Sequence, residues 1–360
     1  YAGNNLVVGT VTGTSISYGT PEYQADVSAG YSPCLQNNNW LIYYAAVSKV
    51  VWVWADSSYG LATILNISGT SVSLGNTIAF SGGSGYITSE SIGAVYAHGA
   101  EDSVCVFYGA GGATDTGTAV AMYSTDGGVN LSLGSTTVFD SNSTSGHSGR
   151  VAVFDEDTDQ SIFYYAASGG GYAVVGSTSS YNITTTARVQ FSTDAAQYFG
   201  GDWDADANKG LIVWRSATSA YPSVAKEVTL SGSTLSFGTE FEFATEASGH
   251  KAVVYDPDNT ILVGVNTNGT TSVIATKYSF GNTNLTSTNF IGVSDAAISS
   301  AASGNITMKG GIAATGLSSL TPGTDYYVQV DGTFGTSAGD PSVKAGKALS
   351  ATAINLEYQS

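Results

Sequence analysis

The stretch GTSISYGT, residues 13–20, decides the fold, because the sequence repeats it with small changes. Related segments are SGTSVSLGN at 68–76, SGSTLSFGT at 231–239 and a weaker copy, VNLSLGST, at 129–136. Each copy lies between two β-like runs, and the copies recur about once every 50–60 residues. A self-similar period of that size predicts a propeller or another stacked array of β-sheets.

The composition supports a β-rich chain. Of the 360 residues, 42% are hydrophobic and 11% aromatic, and there are 45 Gly and 22 Tyr but only 11 Lys and Arg together. Long amphipathic helices need runs of Leu, Glu, Lys and Ala, which the sequence does not contain. We therefore expect an all-β fold with many turns.

The net charge of −17 and the pI near 4.2 exclude classes of partner. Nucleic acid is bound by Lys and Arg that neutralise phosphates, and here the cations are few and scattered. The same charge disfavours an anionic membrane surface, and no apolar run is long enough to span a bilayer. We predict neither nucleic-acid binding nor membrane insertion.

Alternation and turn residues divide residues 41–291 into repeats of four strands, A to D. Strand A is short and ends on an aromatic residue; these residues are Tyr44, Tyr96, Phe154, Trp203 and Tyr255. Strand B is predicted at 50–54, 104–108, 162–165, 211–214 and 261–265, and strand C at 62–66, 118–123, 172–177, 224–228 and 273–278. Strand D, which carries the GTSISYGT-like element, is predicted at 71–80, 131–139, 182–191, 234–243 and 284–291.

These repeats predict a β-propeller of five or six four-stranded blades over residues 1–291. Residues 6–11 and 16–23 form one extra C–D pair. Its A and B strands come either from the other end of the chain, which would close a ring, or from residues before Tyr1. From residue 292 the pattern changes to short strands with turns such as LTPGT and VDGTF. Residues 292–360 are therefore predicted to form a small β-barrel or sandwich for anchoring or oligomerisation.

The repeats resemble those of virion proteins from marine bacteriophages. In that family, units similar to YGTAIVGTVSGTSISFGTPVVF alternate with units similar to YDPDTNKVVIAY. Here NNLVVGTVTGTSISYGTPEY at 4–23 resembles the first, KVVWVWADSSYGLATILNISGTSVSLG at 49–75 the joined pair, and VVYDPDNTILVGV at 253–265 the second. The segment from FIGVSDAAI to AGKALSATAI resembles a C-terminal module found beside such repeats. The family implies a structural, tail or fibre protein.

The A–B turns are acidic, and one has the spacing of a cation-binding loop. Asp204, Asp206 and Asn208 stand in a D-x-D-x-N-x-G pattern, like the start of a calcium loop. The distal Glu of an EF-hand is missing, and Asp, Asn and Gly are also ordinary turn residues. Calcium bound by these three residues is one interpretation of the sequence. The other is that the protein has no cofactor.

The segment YSTDGGVNL at 123–131 resembles the Asp-box of sialidase propellers, although it occurs once and lacks the Trp. A sialidase needs an arginine cluster for a carboxylate, and Arg150, Arg188 and Arg215 are predicted on strands A, D and B, where we do not expect them to converge. The sequence also shows no G-x-S-x-G nucleophile elbow between a strand and a helix, and it lacks the H-E-x-x-H pattern of metalloproteases. We predict no catalytic residues.

Candidate ligand-binding residues occur near strand A. His147 and His250 lie in the related sequences SGHSGRVAVFD and SGHKAVVYD, in which Arg150 aligns with Lys251. In a propeller these residues would surround one mouth of the central channel, where a carboxylated or phosphorylated ligand would bind. Trp203, at the end of a strand A, is added as an aromatic contact. The alternative is that all of these are ordinary solvated loop groups.

The sequence predicts a non-enzymatic virion component, such as a tail fibre or spike, that contacts a host-surface glycan or protein. Its expected partners are other virion proteins and further copies of itself. Two alternatives stay open: a glycan hydrolase or lyase on the same scaffold, and a cellular surface or filament subunit outside the cell. Cys34 and Cys105 are interpreted as two buried free thiols, because a disulfide framework needs more cysteines.

Overall fold

The structure is a computed structural model. It describes residues 4–13, 15–24, 41–55, 59–81, 92–99, 101–110, 116–141, 150–205, 207–216, 222–244, 248–257, 261–268, 272–280, 290–296, 298, 303–329, 333–338 and 342–357. Over these residues the regular structure is antiparallel β-sheet, with one short 3-10 turn at Ala45–Val47. The prediction of an all-β chain is confirmed. No helix in the described ranges has the length and apolarity needed to cross a bilayer.

The chain divides into two compact units, Tyr1–Tyr278 and Ser279–Ser360. The strands of the first unit are β1 (Asn4–Leu6), β2 (Gly9–Thr12), β3 (Ser15–Tyr18), β4 (Glu22–Gln24), β5 (Leu41–Tyr44), β6 (Lys49–Ala55), β7 (Gly60–Ser68), β8 (Ser71–Ala79), β9 (Ile92–Ala97), β10 (Ser103–Ala110), β11 (Thr116–Tyr123), β12 (Ser132–Leu133), β13 (Thr137–Asp140), β14 (Val151–Asp155), β15 (Gln160–Ala167), β16 (Gly170–Ser179), β17 (Asn182–Thr185), β18 (Val189–Ser192), β19 (Ala196–Asp204), β20 (Lys209–Ser216), β21 (Ser223–Ser231), β22 (Thr234–Phe237), β23 (Phe241–Ala244), β24 (Ser248–Asp256), β25 (Ile261–Asn268) and β26 (Ser272–Tyr278).

These strands form a series of meanders in chain order, which gives the unit a propeller-like architecture. Sheet one is β5-β6-β7-β8, sheet two runs from β9 to β13, sheet three from β14 to β18, sheet four from β19 to β23, and sheet five is β24-β25-β26. Strands A, B and C thus occur where the sequence predicts them. The fifth strand D, predicted at 284–291, lies largely outside the described residues.

Strand D differs from the prediction of one continuous strand. In sheets two to four it consists of two short strands that both pair with strand C, and the register shifts between them. In sheets two and three the second short strand ends near a Phe whose ring lies over a Gly near the start of strand C, as Phe139 does over Gly117. The equivalent Phe243 of sheet four lies over Gly264 of sheet five. A side chain on that Gly would collide with the ring, so this close packing requires glycine.

The core lies between successive sheets, because strand side chains alternate between the two faces. We call the face that packs on the preceding sheet the leading face and the opposite one the trailing face. Between sheets two and three, for example, Phe107 of β10 is trailing and Ile183 of β17 is leading, and both belong to one buried cluster. Equivalent clusters join sheets one and two and sheets three and four.

One strand-A residue faces the opposite way from its predicted equivalents. Tyr96 and Phe154 lie on leading faces, whereas Tyr44 lies on a trailing face and its ring centroid is 5.6 Å from that of Tyr96. The Tyr44 hydroxyl donates to the Asp102 carbonyl oxygen at 3.0 Å and accepts from the Ser124 N–H at 3.2 Å. The repeat in sheet one is therefore out of phase by one residue at this strand.

The N-terminal C–D pair exists as predicted. β1 pairs with β4 and β2 with β3. Leu6 and Val8 pack on the leading face of sheet one, against the cluster that contains Trp52 and Val72. This half-sheet, residues 4–12 and 15–24, therefore serves sheet one as a preceding sheet.

The second unit is a small β-structure with its own core. Its strands are β27 (Gly292–Ser294), β28 (Ile306–Met308), β29 (Ile312–Ala313), β30 (Asp325–Val328), β31 (Phe334–Gly335), β32 (Lys344–Ser350) and β33 (Ala353–Leu356). β27 pairs with β28, and the other five form one sheet in the order β29-β33-β32-β30-β31. Tyr326, Val343 and Ile354 belong to its buried cluster. A domain boundary at 291/292 stays a prediction.

Cys105 is a buried free thiol on the trailing face of sheet two. Burial raises the pKa of its thiol, which opposes formation of the reactive thiolate. Cys34 lies outside the described residues.

Packing between sheets predicts the effect of a truncation. Leu131 is 6% exposed in the cluster between sheets one and two, whereas Leu133 is 37% exposed. We expect Leu131→Ala to lower the free energy of unfolding by about 2–4 kcal/mol, because it leaves a cavity. Urea unfolding followed by tryptophan fluorescence measures this loss. Leu133→Ala is the matched control and should cost less than about 1 kcal/mol; equal losses would contradict the assignment of the core.

Candidate functional site

Arg150, a predicted ligand contact, is buried at the start of strand A of sheet three, where it is 4% exposed. Its charge and that of Arg188 both act on the Tyr165 hydroxyl, whose pKa burial nevertheless raises strongly. Asp140 of sheet two accepts a hydrogen bond from Tyr165 at 3.0 Å and pairs with Arg188 at 2.8 Å. Arg150 and Arg188 thus both lie near Tyr165, and the expectation that the three arginines do not converge stays a prediction. His147 lies outside the described residues.

Lys251, the residue aligned with Arg150, is also buried and is 2% exposed. It lies beside Gly200 of sheet four, at the boundary between sheets four and five. Desolvation, together with a smaller effect of the nearby Arg215 charge, lowers the pKa of its ammonium group to about 7. The side chain of His250 lies outside the described set.

Trp203 is 4% exposed and packs in the cluster between sheets three and four. A ligand on the surface would not reach a ring in that position. The placement is that of a core residue, and the aromatic end of strand A is explained by packing between sheets.

In the acidic turns, aspartate carboxylates accept hydrogen bonds from backbone N–H groups of the same turn. Asp204 is buried, and its Oδ1 accepts the Ala207 N–H at 2.8 Å. Asn208 closes the turn with a positive φ of 49°. Asp155 has the same function in sheet three, where it accepts the Asp157 N–H at 3.1 Å. Asp206 lies outside the described residues, and within them no cluster of three or more metal-ligating side chains occurs. Calcium binding stays a prediction.

The Asp-box-like segment forms a compact turn in sheet two. Asp126 Oδ1 accepts the Val129 and Asn130 N–H groups at 3.0 Å each and the Ser124 hydroxyl at 2.8 Å. These hydrogen bonds, led by that from Asn130, lower the pKa of Asp126 to about 2. Gly127 and Gly128 have φ values of 72° and 84°, which glycine adopts without strain. All of these donors lie in the same turn as Asp126, so its carboxylate stabilises the turn.

Sequence reasoning missed two Arg–Tyr pairs. The Arg188 guanidinium lies 4.2 Å from the centroid of the Tyr172 ring, and the Arg215 guanidinium lies 4.4 Å from that of Tyr198. Both pairs lie towards the end of their sheets at which strand C begins. We call this surface the Arg–Tyr edge; its members are Tyr172, Arg188, Gln190, Gln197, Tyr198 and Arg215.

Tyr198, like Tyr181 in the turn between β16 and β17, has a left-handed backbone conformation. Its φ is 53°, a value that bulky side chains seldom adopt, and the register of β19 against β20 shifts there. Such conformations cost of order 1–3 kcal/mol and occur most often at functional sites. The ring is held by Arg215, which also donates a hydrogen bond to the Gln197 side chain.

A polar cleft lies at the junction of sheets three and four. Its volume is about 290 Å³, and it is lined by Gln190, Phe191, Ser192, Thr193, Asp194, Lys226 and Glu240. Lys226 donates to the Phe191 carbonyl oxygen at 2.7 Å and lies 3.9 Å from a Glu240 carboxylate oxygen. Gln190 pairs across the strands with Tyr172, so the cleft borders the Arg–Tyr edge. The cleft combines donors, acceptors and both signs of charge.

No family model and no curated protein matches the chain. Several solved structures are similar in fold. A mutant of AofleA from Arthrobotrys oligospora, in which three arginines are replaced by alanine, has 13% identity and a TM-score of 0.49 over 74% of each chain. A protein of unknown function from Dyadobacter fermentans has 8% identity and a TM-score of 0.48 over 68% of this chain and 79% of that one.

A sialidase from Trypanosoma rangeli, in complex with 2,3-difluorosialic acid, has 12% identity and a TM-score of 0.45. The alignment covers 87% of this chain and 56% of the sialidase, so the chain spans about half the length of that protein. At these identities the likeness is one of β-sheet architecture alone.

The burial of Lys251 predicts a pH dependence of stability. The lowered pKa means that the folded state binds fewer protons than the unfolded state between about pH 7 and 10.5, so this residue destabilises the fold most below pH 7 and least above pH 10. We expect Lys251→Met to raise the thermal midpoint most at pH 6, with a gain that shrinks towards pH 10. Differential scanning calorimetry at several pH values tests this, with the exposed Lys277→Met as control. A gain independent of pH would contradict it.

Proposed function

We propose that the chain is a non-enzymatic, exposed virion component, such as a tail fibre or spike, and that it binds a host-surface glycan or protein through the Arg–Tyr edge. In this proposal residues 1–291 form a propeller of five or six blades, and a small C-terminal β-barrel or sandwich anchors or oligomerises it. Other virion proteins and further copies of the chain are its partners. The virion location is supported by the GTSISYGT-type repeats, which resemble those of marine bacteriophage proteins.

The observation that carries the binding proposal is the pairing of planar groups with a polar cleft. Tyr198 and Arg215 present a stacked aromatic and guanidinium surface, and the neighbouring cleft offers Ser192, Gln190 and Lys226 as hydrogen-bonding groups. Sugar rings stack on aromatic faces, and their hydroxyls bond to amides, hydroxyls and charged groups. Lys226 lies on the face of sheet four that packs on sheet three, whereas Arg215 lies on the face towards sheet five. An oligosaccharide of several units lying across the end of sheet four would therefore meet both kinds of contact.

Binding is tested with a printed array of neutral and carboxylated oligosaccharides. We expect retention of the wild-type chain on a subset of spots, and at least about tenfold weaker binding of Gln190→Ala and Tyr198→Ala, the loss usual for truncation at the centre of an interface. Tyr43→Ala removes an equally large ring from sheet one, where it is 59% exposed, and should bind like the wild type. Unchanged binding by both edge variants, with the folded state verified by calorimetry, would overturn the proposal.

A glycan hydrolase is the second candidate, because Asp194 and Glu240 line the same cleft. Both residues are exposed, whereas a general acid is ordinarily held in a buried site that raises its pKa. The array experiment separates the two functions. Release of new reducing ends from bound oligosaccharides, abolished in Glu240→Gln, supports the hydrolase; retention without cleavage supports the binding protein.

The virion proposal is tested by labelling particles. Antibodies raised against the chain should decorate a tail, a fibre tip or the outer surface of purified particles in electron micrographs. Decoration of filaments on cells that contain no virus would favour the cell-surface alternative instead. Pre-absorption of the antibodies with the purified chain is the control.

A further inference from the structure

The N-terminal half-sheet exposes a face that every described sheet after it buries. Ile16 of GTSISYGT occupies the same place in the repeat as Val72, Leu131, Ile183 and Leu235. Those four side chains are between 1% and 7% exposed, because each packs on the preceding sheet, whereas Ile16 is 55% exposed. Among the described residues, therefore, no sheet packs on the leading face of the half-sheet.

Neighbouring side chains make this face broadly apolar. Val11 pairs across the hairpin with Ile16, and Gly9 pairs with Tyr18, so these residues share one side of the hairpin. Val11 is 69% exposed and Tyr18 is 69% exposed. The opposite side of the hairpin carries Thr and Ser.

At the other end of the series, sheet five has an open trailing face. Val254 pairs with Val263, and Ala252 pairs with Val265, which places small apolar side chains on this face. The row of Val254 and Val263 ends at Lys277 on the neighbouring strand. Val254 is 57% exposed, while its neighbour Val253, on the leading face, is 6% exposed. The corresponding trailing positions of sheets one to three lie in the buried clusters between sheets.

Repeat arrays normally end in units with a polar outer face, because an apolar end keeps accepting the next unit. Here the faces at both ends carry exposed apolar side chains. One is a leading face and the other is a trailing face, and these are the two kinds of face that pack together between successive sheets. We propose that the leading face of the half-sheet binds the trailing face of sheet five in a second copy of this chain. The contact is heterologous and joins copies head to tail.

This inference names the surface for the self-association included in the proposed function. The faces lie on the half-sheet and sheet five, whereas the Arg–Tyr edge lies on sheets three and four, so substitutions at the faces leave the binding residues in place. Closure of the same two faces within one chain is the competing outcome, and it would give a monomer.

Sedimentation velocity on the purified full chain tests the contact. We expect the wild type to form species larger than a monomer as concentration rises. Ile16→Asp and Val254→Asp each place a carboxylate in the apolar contact and should raise its Kd at least about tenfold. Val138→Asp changes a valine that is 59% exposed in sheet two and should associate like the wild type.

Mixing the two face variants gives the sharpest result. The Ile16→Asp copy keeps an intact trailing face and the Val254→Asp copy an intact leading face, so an equimolar mixture should form dimers and stop there. A wild type that stays monomeric, variants that associate as strongly as the wild type, or a mixture that remains monomeric would each overturn the inference. The same variants on the oligosaccharide array separate the two proposals, because failure to assemble with retained glycan binding removes only the head-to-tail contact.

Discussion

Packing of one sheet on the next is the constraint on which this structure depends. A four-stranded antiparallel sheet of this length cannot bury either of its faces by itself, and each face here carries apolar side chains. Stacking in chain order buries both. The clusters between the sheets contain the largest buried side chains, including Trp214 and Phe163, so most of the hydrophobic stabilisation of the first unit arises between repeats and little within them.

The residues that stack the sheets and the residues proposed to bind a ligand lie in different parts of each sheet. The GTSISYGT-type element is used for stacking. Its glycine has a positive φ at Gly13, Gly69 and Gly232 and makes the turn. The apolar residue three positions later packs on the preceding sheet at Val72 and Leu235, whereas Ile16 is exposed. The ends of the strands lie at the margin of the stacked core, where Tyr172 and Phe191 still belong to buried clusters. The Arg–Tyr pairs and the polar cleft occur there, as binding residues do on other rigid scaffolds.

The charged residues are divided in the same way between the structural turns and the surface proposed to bind a ligand. The acidic turns between strands A and B satisfy their carboxylates within the turn, as Asp204 and Asp155 do. At the opposite end, Arg188 combines an ion pair with Asp140 and a stacking contact with Tyr172, which fixes its guanidinium. A guanidinium held in this way loses little freedom on meeting a ligand, which favours binding. Lys251 lies deeper, and its low pKa reflects burial more than recognition.

Much of the fold was determined by the sequence alone, because side-chain alternation and turn chemistry are local properties of the backbone. The four-strand repeat, the N-terminal C–D pair and the short strands of the second unit were all predicted from them. The packing of a strand face on a neighbouring sheet is not a local property of the sequence. The reversed orientation of Tyr44, the burial of Trp203 and the exposure of Ile16 were decided only when successive sheets stacked, since stacking determines which side chains leave the solvent. The contact of Arg215 with Tyr198 depends instead on a register shift within sheet four, which the sequence pattern does not show.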